Sequence, residues 1–153
     1  MATEIFRIEG LAELESKLAD LMALGKADSV ARQTLVKAAK DAMEPVYQEV
    51  ATTAPVGPGI PVHLKDTVRL EARIPNQSDR KSTLVQQSDV AIAIVSVKKS
   101  AVSLANEFGT SKMAAQPFLR KALALKKDEV VAIFKTELNS YISQVASKQR
   151  RKK

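Results

Sequence analysis

His63 is the only histidine in the chain, and there is no cysteine. With no second histidine to share a metal ion or serve a serine triad, the imidazole has no partner for either chemistry. The absence of cysteine closes thiolate nucleophiles, disulfides and cysteine-based zinc sites. Gly109-Thr110-Ser111-Lys112 invites a phosphate-binding reading, but a phosphate loop needs Gly, four residues, then Gly-Lys and Ser or Thr after a strand. That spacing is missing. The carboxylates Glu13, Glu15, Asp20, Asp41, Glu44 and Glu49 lie among lysines in helical stretches, as on a solvated face, and no pair is isolated in apolar surroundings that would tune it for proton transfer. No catalytic residue, cofactor or metal is expected, and the chain reads as a non-enzyme.

The remaining chemistry is electrostatic. The net charge is +7, yet residues 1–50 carry −3, residues 51–100 carry +3 and residues 101–153 carry +7. Five cations, Lys148, Arg150, Arg151, Lys152 and Lys153, fall in the last six positions. Such a terminus can touch DNA or an acidic neighbour without sequence preference and with strong salt dependence, or it can be a frayed solubilising end. Both readings stay open. Sequence-specific recognition is disfavoured, because helix-turn-helix and zinc-finger spacings are absent and aromatic residues make up only 4%, too few for base stacking.

The elements around these residues follow from periodicity. Phe6 and Ile8 alternate with Arg7 and Glu9, which suggests a short strand or extended lead-in. Leu11, Leu14, Leu18 and Leu21 form one stripe, which predicts a helix over about 11–24 ended by Gly25. A second helix, capped at Asp28 or Ser29, is expected to bury Leu35, Ala39, Ala42, Val46 and Val50 and to end before Pro55. Pro45 predicts a break near residues 41–44. Residues 54–61 hold three of the six prolines and must be loop. Val68, Leu70, Ala72 and Ile74 alternate with charged residues as in a strand buried on one face, and 90–97 is apolar on both faces. Residues 75–89 are polar and form either a hairpin tip or a flexible loop. A short helix over 101–108 follows, and a long amphipathic helix starts at Pro117 with Leu119, Leu123, Val130, Phe134, Leu138, Tyr141 and Val145 on its apolar face.

With 45% hydrophobic and 27% charged residues over 153 positions, one domain with a real core is expected. It is placed at 1–147, with 148–153 as a flexible basic tail. No run is apolar enough for a membrane span and no secretory signal opens the chain, so a cytoplasmic origin is expected. The fold class is α+β: two N-terminal helices, a small antiparallel sheet over about 67–97, and a long C-terminal helix packed across it.

The run Glu107-Phe108-Gly109-Thr110-Ser111-Lys112-Met113-Ala114-Ala115-Gln116-Pro117-Phe118-Leu119-Arg120-Lys121-Ala122-Leu123 closely resembles a phage morphogenesis signature. It is the pattern of the Hong Kong 97-type head-tail joining or tail-completion proteins of long-tailed phages: acidic-Phe-Gly-Thr, a few residues, then Gln-Pro-Phe-Leu-Arg and a helix. The order of the remaining chain is also similar, with Ile8-Glu9-Gly10-Leu11 before the first helix, Ala54-Pro55 closing the second, and Leu64-Lys65-Asp66 opening the strand region. One departure is the longer, proline-rich stretch at Val56–Val62, where the family usually has a short basic-Thr-Gly turn.

The resemblance implies a structural virion protein of the neck or tail, made in the host cytoplasm. It would work in a homo-oligomeric ring, six copies by tail symmetry, beside a connector, tail terminator or tail tube. Glu107, Phe108, Gly109, Thr110, Gln116, Pro117, Phe118, Leu119 and Arg120 become the interface candidates. By physical reading they form a corner: Gly109 turns the chain, Thr110 and Ser111 satisfy local donors, and Gln116-Pro117 launches the helix. Phe108 and Phe118 either present an aromatic anchor beside Arg120 or fill the subunit's own core. The proline-rich loop and the 75–89 loop are the segments expected to reach neighbours or to order on assembly.

Overall fold

The computed structural model describes residue 16 and residues 27–57, 63–87 and 89–151. Among the described residues there are four α-helices and two strands: α1 Ala27–Ala42, α2 Glu44–Thr53, β1 Arg69–Arg73, β2 Ile92–Ser96, α3 Ala101–Phe108 and α4 Leu119–Arg150. The fold is α+β, as the patterning predicts. Of the expected helix over 11–24 only Ser16 is described, and it is helical; the lead-in at 4–9 lies outside the described residues. Among the described residues no helix is long and apolar enough to cross a membrane.

The break expected at Pro45 falls at Met43. Proline has no N–H to continue the ladder, and its ring would crowd the carbonyl of Asp41, so it sits instead in the first turn of a new helix. The Met43 N–H is shared between the carbonyls of Ala39 and Lys40, at 3.2 and 3.1 Å, and the Met43 carbonyl accepts from Tyr47 as α2 begins. The inward face crosses this break. Thr34, Ala38, Ala42, Val46, Val50 and Ala54, each four apart, are buried, whereas Leu35 and Ala39, expected on that face, are half-buried at its side. Much of the stripe is small, which lets another helix approach closely.

That helix is α4. Val46, Val50 and Ala54 pack with Val68, Phe118 and Ala122 in one cluster, and Ala38 packs with Leu138 in a second, flanked by Leu35, Phe134 and Tyr141. The main partners of α4 are therefore α1 and α2, while α1 lies against both strands. This corrects the expectation that α4 crosses the sheet. The small-residue stripe on α1 and α2 offers the closer seat.

Tyr141 ties the two long helices together by donating its hydroxyl to Asp41 Oδ2 at 2.7 Å. This bond to a carboxylate raises the phenol's pKa above its ordinary value, with burial adding in the same direction. In an ultraviolet pH titration Tyr141 is expected to ionise later than a free phenol, and Asp41→Asn should bring it back down. An unchanged titration in that variant would mean the bond does not form in solution.

The strands pair antiparallel, with Leu70 opposite Val95 and Ala72 opposite Ala93. Residues 75–87 and 89 lie in the hairpin tip, and side chains hold it. Arg73 grips both oxygens of Asp79 at 2.8 and 3.2 Å, and the Asp79 carboxylate accepts from the Asn76 N–H while Asp79 N–H donates to the Asn76 side chain. Arg80 donates to the carbonyls of Gln86 and Gln87, both at 2.8 Å. These bonds lie within one subunit and tie the tip to its own strand and turn. Of the proline-rich loop, 58–62 lies outside the described residues.

Candidate functional site: the corner between the last two helices

Helix α3 is short and is secured at both ends. At its start the Ser100 hydroxyl accepts from the Ser103 N–H, and Ser103 Oγ accepts from the Ser100 N–H, a reciprocal capping box. At its end Gly109 takes φ 77° and ψ 179°, a region that is essentially glycine's alone. The Gly109 N–H donates to Ala105 and the chain then turns away from the helix axis. Thr110 and Met113 bond each other across Ser111-Lys112, and Thr110 Oγ1 accepts from the Lys112 N–H. The loop is closed by Gln116 N–H donating to the Asn106 carbonyl at 2.7 Å.

Glu107 joins this corner to the helix that follows it. Its carboxylate is buried and accepts from the backbone N–H groups of Phe118, Leu119 and Arg120 at 3.0, 3.1 and 3.2 Å. Those are the first donors of α4, which lack partners within the helix, so a residue of the preceding helix caps the next one. Arg120 closes the clamp, with Nε donating to Glu107 Oε1 at 2.9 Å and Nη2 to the Glu107 carbonyl at 2.6 Å. Burial pushes the Glu107 carboxyl up, but Arg120 and the three backbone donors outweigh it, and the net shift is below the ordinary glutamate value. The cap also corrects the start of α4. Pro117 stands before the helix, whose first carbonyl acceptor is Phe118, bonded by Ala122 N–H.

The two aromatics divide between the two readings. Phe118 is 4% exposed and belongs to the core; Phe108 is 66% exposed, with the Arg120 guanidinium 5.1 Å from its ring centre. Gln116 and Thr110 are exposed, and Gly109, Pro117 and Leu119 are half-buried. The nine residues of the corner are thus brought together, some as scaffold and some as surface. Sequence reasoning missed the cap made by Ser100 and Ser103, the Asn106 carbonyl that closes the loop, and the exposure of Val102, Leu104 and Met113 nearby. A serine followed three residues later by another is a detectable, if weak, signal for the first.

The other candidates lie apart from the corner's hydrogen-bond network. His63 lines a cavity of about 390 Å³ with Leu64, Thr67, Lys98 and Asn106, and its Nδ1 is buried without a hydrogen-bond partner. Among the described residues no group of three or more acidic or histidine side chains could hold a metal ion. In the basic segment α4 runs on through Lys148 to Arg150, because nothing between 145 and 150 is glycine or proline, and Arg151 is exposed in the closing turn. The expected flexible tail from 148 therefore continues the helix to 150; Lys152 and Lys153 lie outside the described residues. Compared with protein-family models, curated proteins and solved structures, the chain has no match.

Proposed function

We propose that this chain is a structural subunit of the phage neck, joining head to tail or completing the tail by assembling in several copies. One observation carries the reading. The run that resembles the neck-protein signature folds into a corner in which several of its residues take an architectural task and one aromatic is left on the surface. Glu107 caps, Gly109 turns, Phe118 anchors, and Phe108 is left outside beside Arg120. Exposed aromatic and arginine side chains on a rigid support are the composition of interface hot spots. The partners would be a connector, a tail terminator or the tail tube, together with copies of the chain itself, a hexamer by the resemblance. The place would be the virion neck or tail, reached from the host cytoplasm.

The test is solution mass by light scattering, free and mixed with isolated phage tails or capsids, at two salt concentrations. A discrete ring, or saturable binding at the tail or portal end, is the expected result. A second reading is supported by the basic end of α4 and Arg151 beyond it. There the chain is a non-specific nucleic-acid binder, and removing residues 148–153 would abolish salt-sensitive DNA retention. A monomer that ignores both particles but retains DNA would replace the first reading by the second.

A further inference from the structure

We propose that copies of this chain associate head to tail, the Leu104 and Phe108 face of α3 seating in the acidic groove that α1, α2 and α4 form on the next copy. This rests on the neck reading and deepens it by naming the subunit contact.

The donor face is an apolar helix surface left exposed by the described residues. Helix α3 has eight residues, too few to be stable alone, and buries only Ser103 and Glu107. Leu104 and Phe108, one turn apart, are 42% and 66% exposed. Among the described residues, α3 has no extensive packing against another helix or strand. Arg120 stands over the Phe108 ring with its side chain largely exposed, so the face is apolar at its centre and positive at its rim.

The acceptor is complementary. A cavity of about 420 Å³ opens between the ends of α1 and α2 and the middle of α4, with Pro45 and Ile133 supplying apolar surface. Asp41, Glu44, Glu49 and Glu129 line it against a single cation, Lys126. On the donor side the matching charge is Arg120, at the rim of the Phe108 face. Head-to-tail contact brings the opposite charges together.

Helix geometry makes the contact directional. At 3.6 residues per turn, Glu129 and Ile133 lie about 180° and 220° around α4 from Arg120. Groove and Phe108 face are therefore on opposite sides of the subunit's longest helix. Unlike patches facing opposite ways propagate from copy to copy and close into a ring when the rotation permits. Packing two Phe108 faces together would instead bring two Arg120 guanidinium groups against each other, which is unfavourable.

The experiment uses the full chain in three forms: wild type, Phe108→Asp, and Glu44→Lys with Glu129→Lys. All the changed side chains are exposed, and circular dichroism checks that each variant is folded. Mass is measured by analytical ultracentrifugation over a concentration series, and copies per particle are counted on isolated tails. Wild type is expected to assemble, with each variant weakening the contact roughly thirtyfold or more. Mixing the two variants restores one good knob and one good groove, so a heterodimer and nothing larger is expected. If wild type assembles and neither variant changes its mass, the contact is overturned and the ring reading stands. If only Phe108→Asp dissociates it, α3 is buried elsewhere and the groove is refuted. A wild-type chain that neither self-associates nor binds tails or capsids overturns both.

Discussion

Gly109→Ala is expected to destabilise the fold by roughly 3 kcal/mol or more, combining a disallowed backbone region with overpacking. The added Cβ would lie 2.8 Å from the Ala115 amide nitrogen and 2.9 Å from the Met113 carbonyl oxygen. Both are backbone atoms, so no side-chain rotation relieves the overlap. Relief requires the 110–115 loop to move outward, which pulls on the Thr110–Met113 pair and on the Gln116 to Asn106 bond. Even with space, alanine at φ 77° and ψ 179° would be strained. Against a typical total stability of about 5–15 kcal/mol, the loss should appear as a clear fall in the urea midpoint. Lys112→Ala, exposed in the same loop, is the control and should stay within about 0.5 kcal/mol of wild type. Equal midpoints for the two variants would mean that the turn is not fixed as described. A folded Gly109→Ala protein should also assemble poorly, because Phe108 is the residue immediately before the turn.

Much of this architecture is legible in the sequence because it is periodic or punctuated. Alternation over 68–74 marks β1, Pro45 marks the break after α1, and Gly109 marks the end of α3. The buried face of α4 is less legible. Leu123 is 41% exposed while Ala122 is in the core, because the helix is set by Phe118 at its start and by the small residues of α2 facing it. Hydrophobicity favours the leucine; the closeness of the helices favours the alanine. The hairpin tip was undecidable for another reason, since arginine side chains bonding carbonyls six and seven residues away leave no repeating pattern. Glu107 looks in sequence like any other acidic residue. Its partners lie 11 to 13 positions further on, and only the folded turn between them makes it a cap. For the candidate site, then, the resemblance located the residues and the folded corner distinguished their tasks.

That capping role predicts how stability responds to acid. Glu107→Ala is expected to cost about 3 kcal/mol at neutral pH, because it uncaps three backbone donors at a buried helix start and removes the carboxylate from Arg120. Glu107→Gln keeps an acceptor oxygen but loses the charge, and should cost less, about 1–2 kcal/mol. The two proteins separate the charge from the hydrogen bond. In the wild type the folded carboxyl ionises below its ordinary value near 4.5, so the unfolded chain binds more protons in the interval between the two values. The charge contribution is therefore complete above the unfolded pKa and is lost as pH falls through the lower folded one. The Gln variant has no such proton to take up, so its stability deficit relative to wild type should be constant near neutrality and shrink in acid below about pH 4.5. Urea midpoints for both proteins across pH 3 to 7, approximate limits set by the glutamate range, would measure it. A deficit that stays constant over the whole range would show that the carboxylate is not held ionised by Arg120 and the helix start, and the corner would then owe its rigidity to Gly109 and the loop bonds alone.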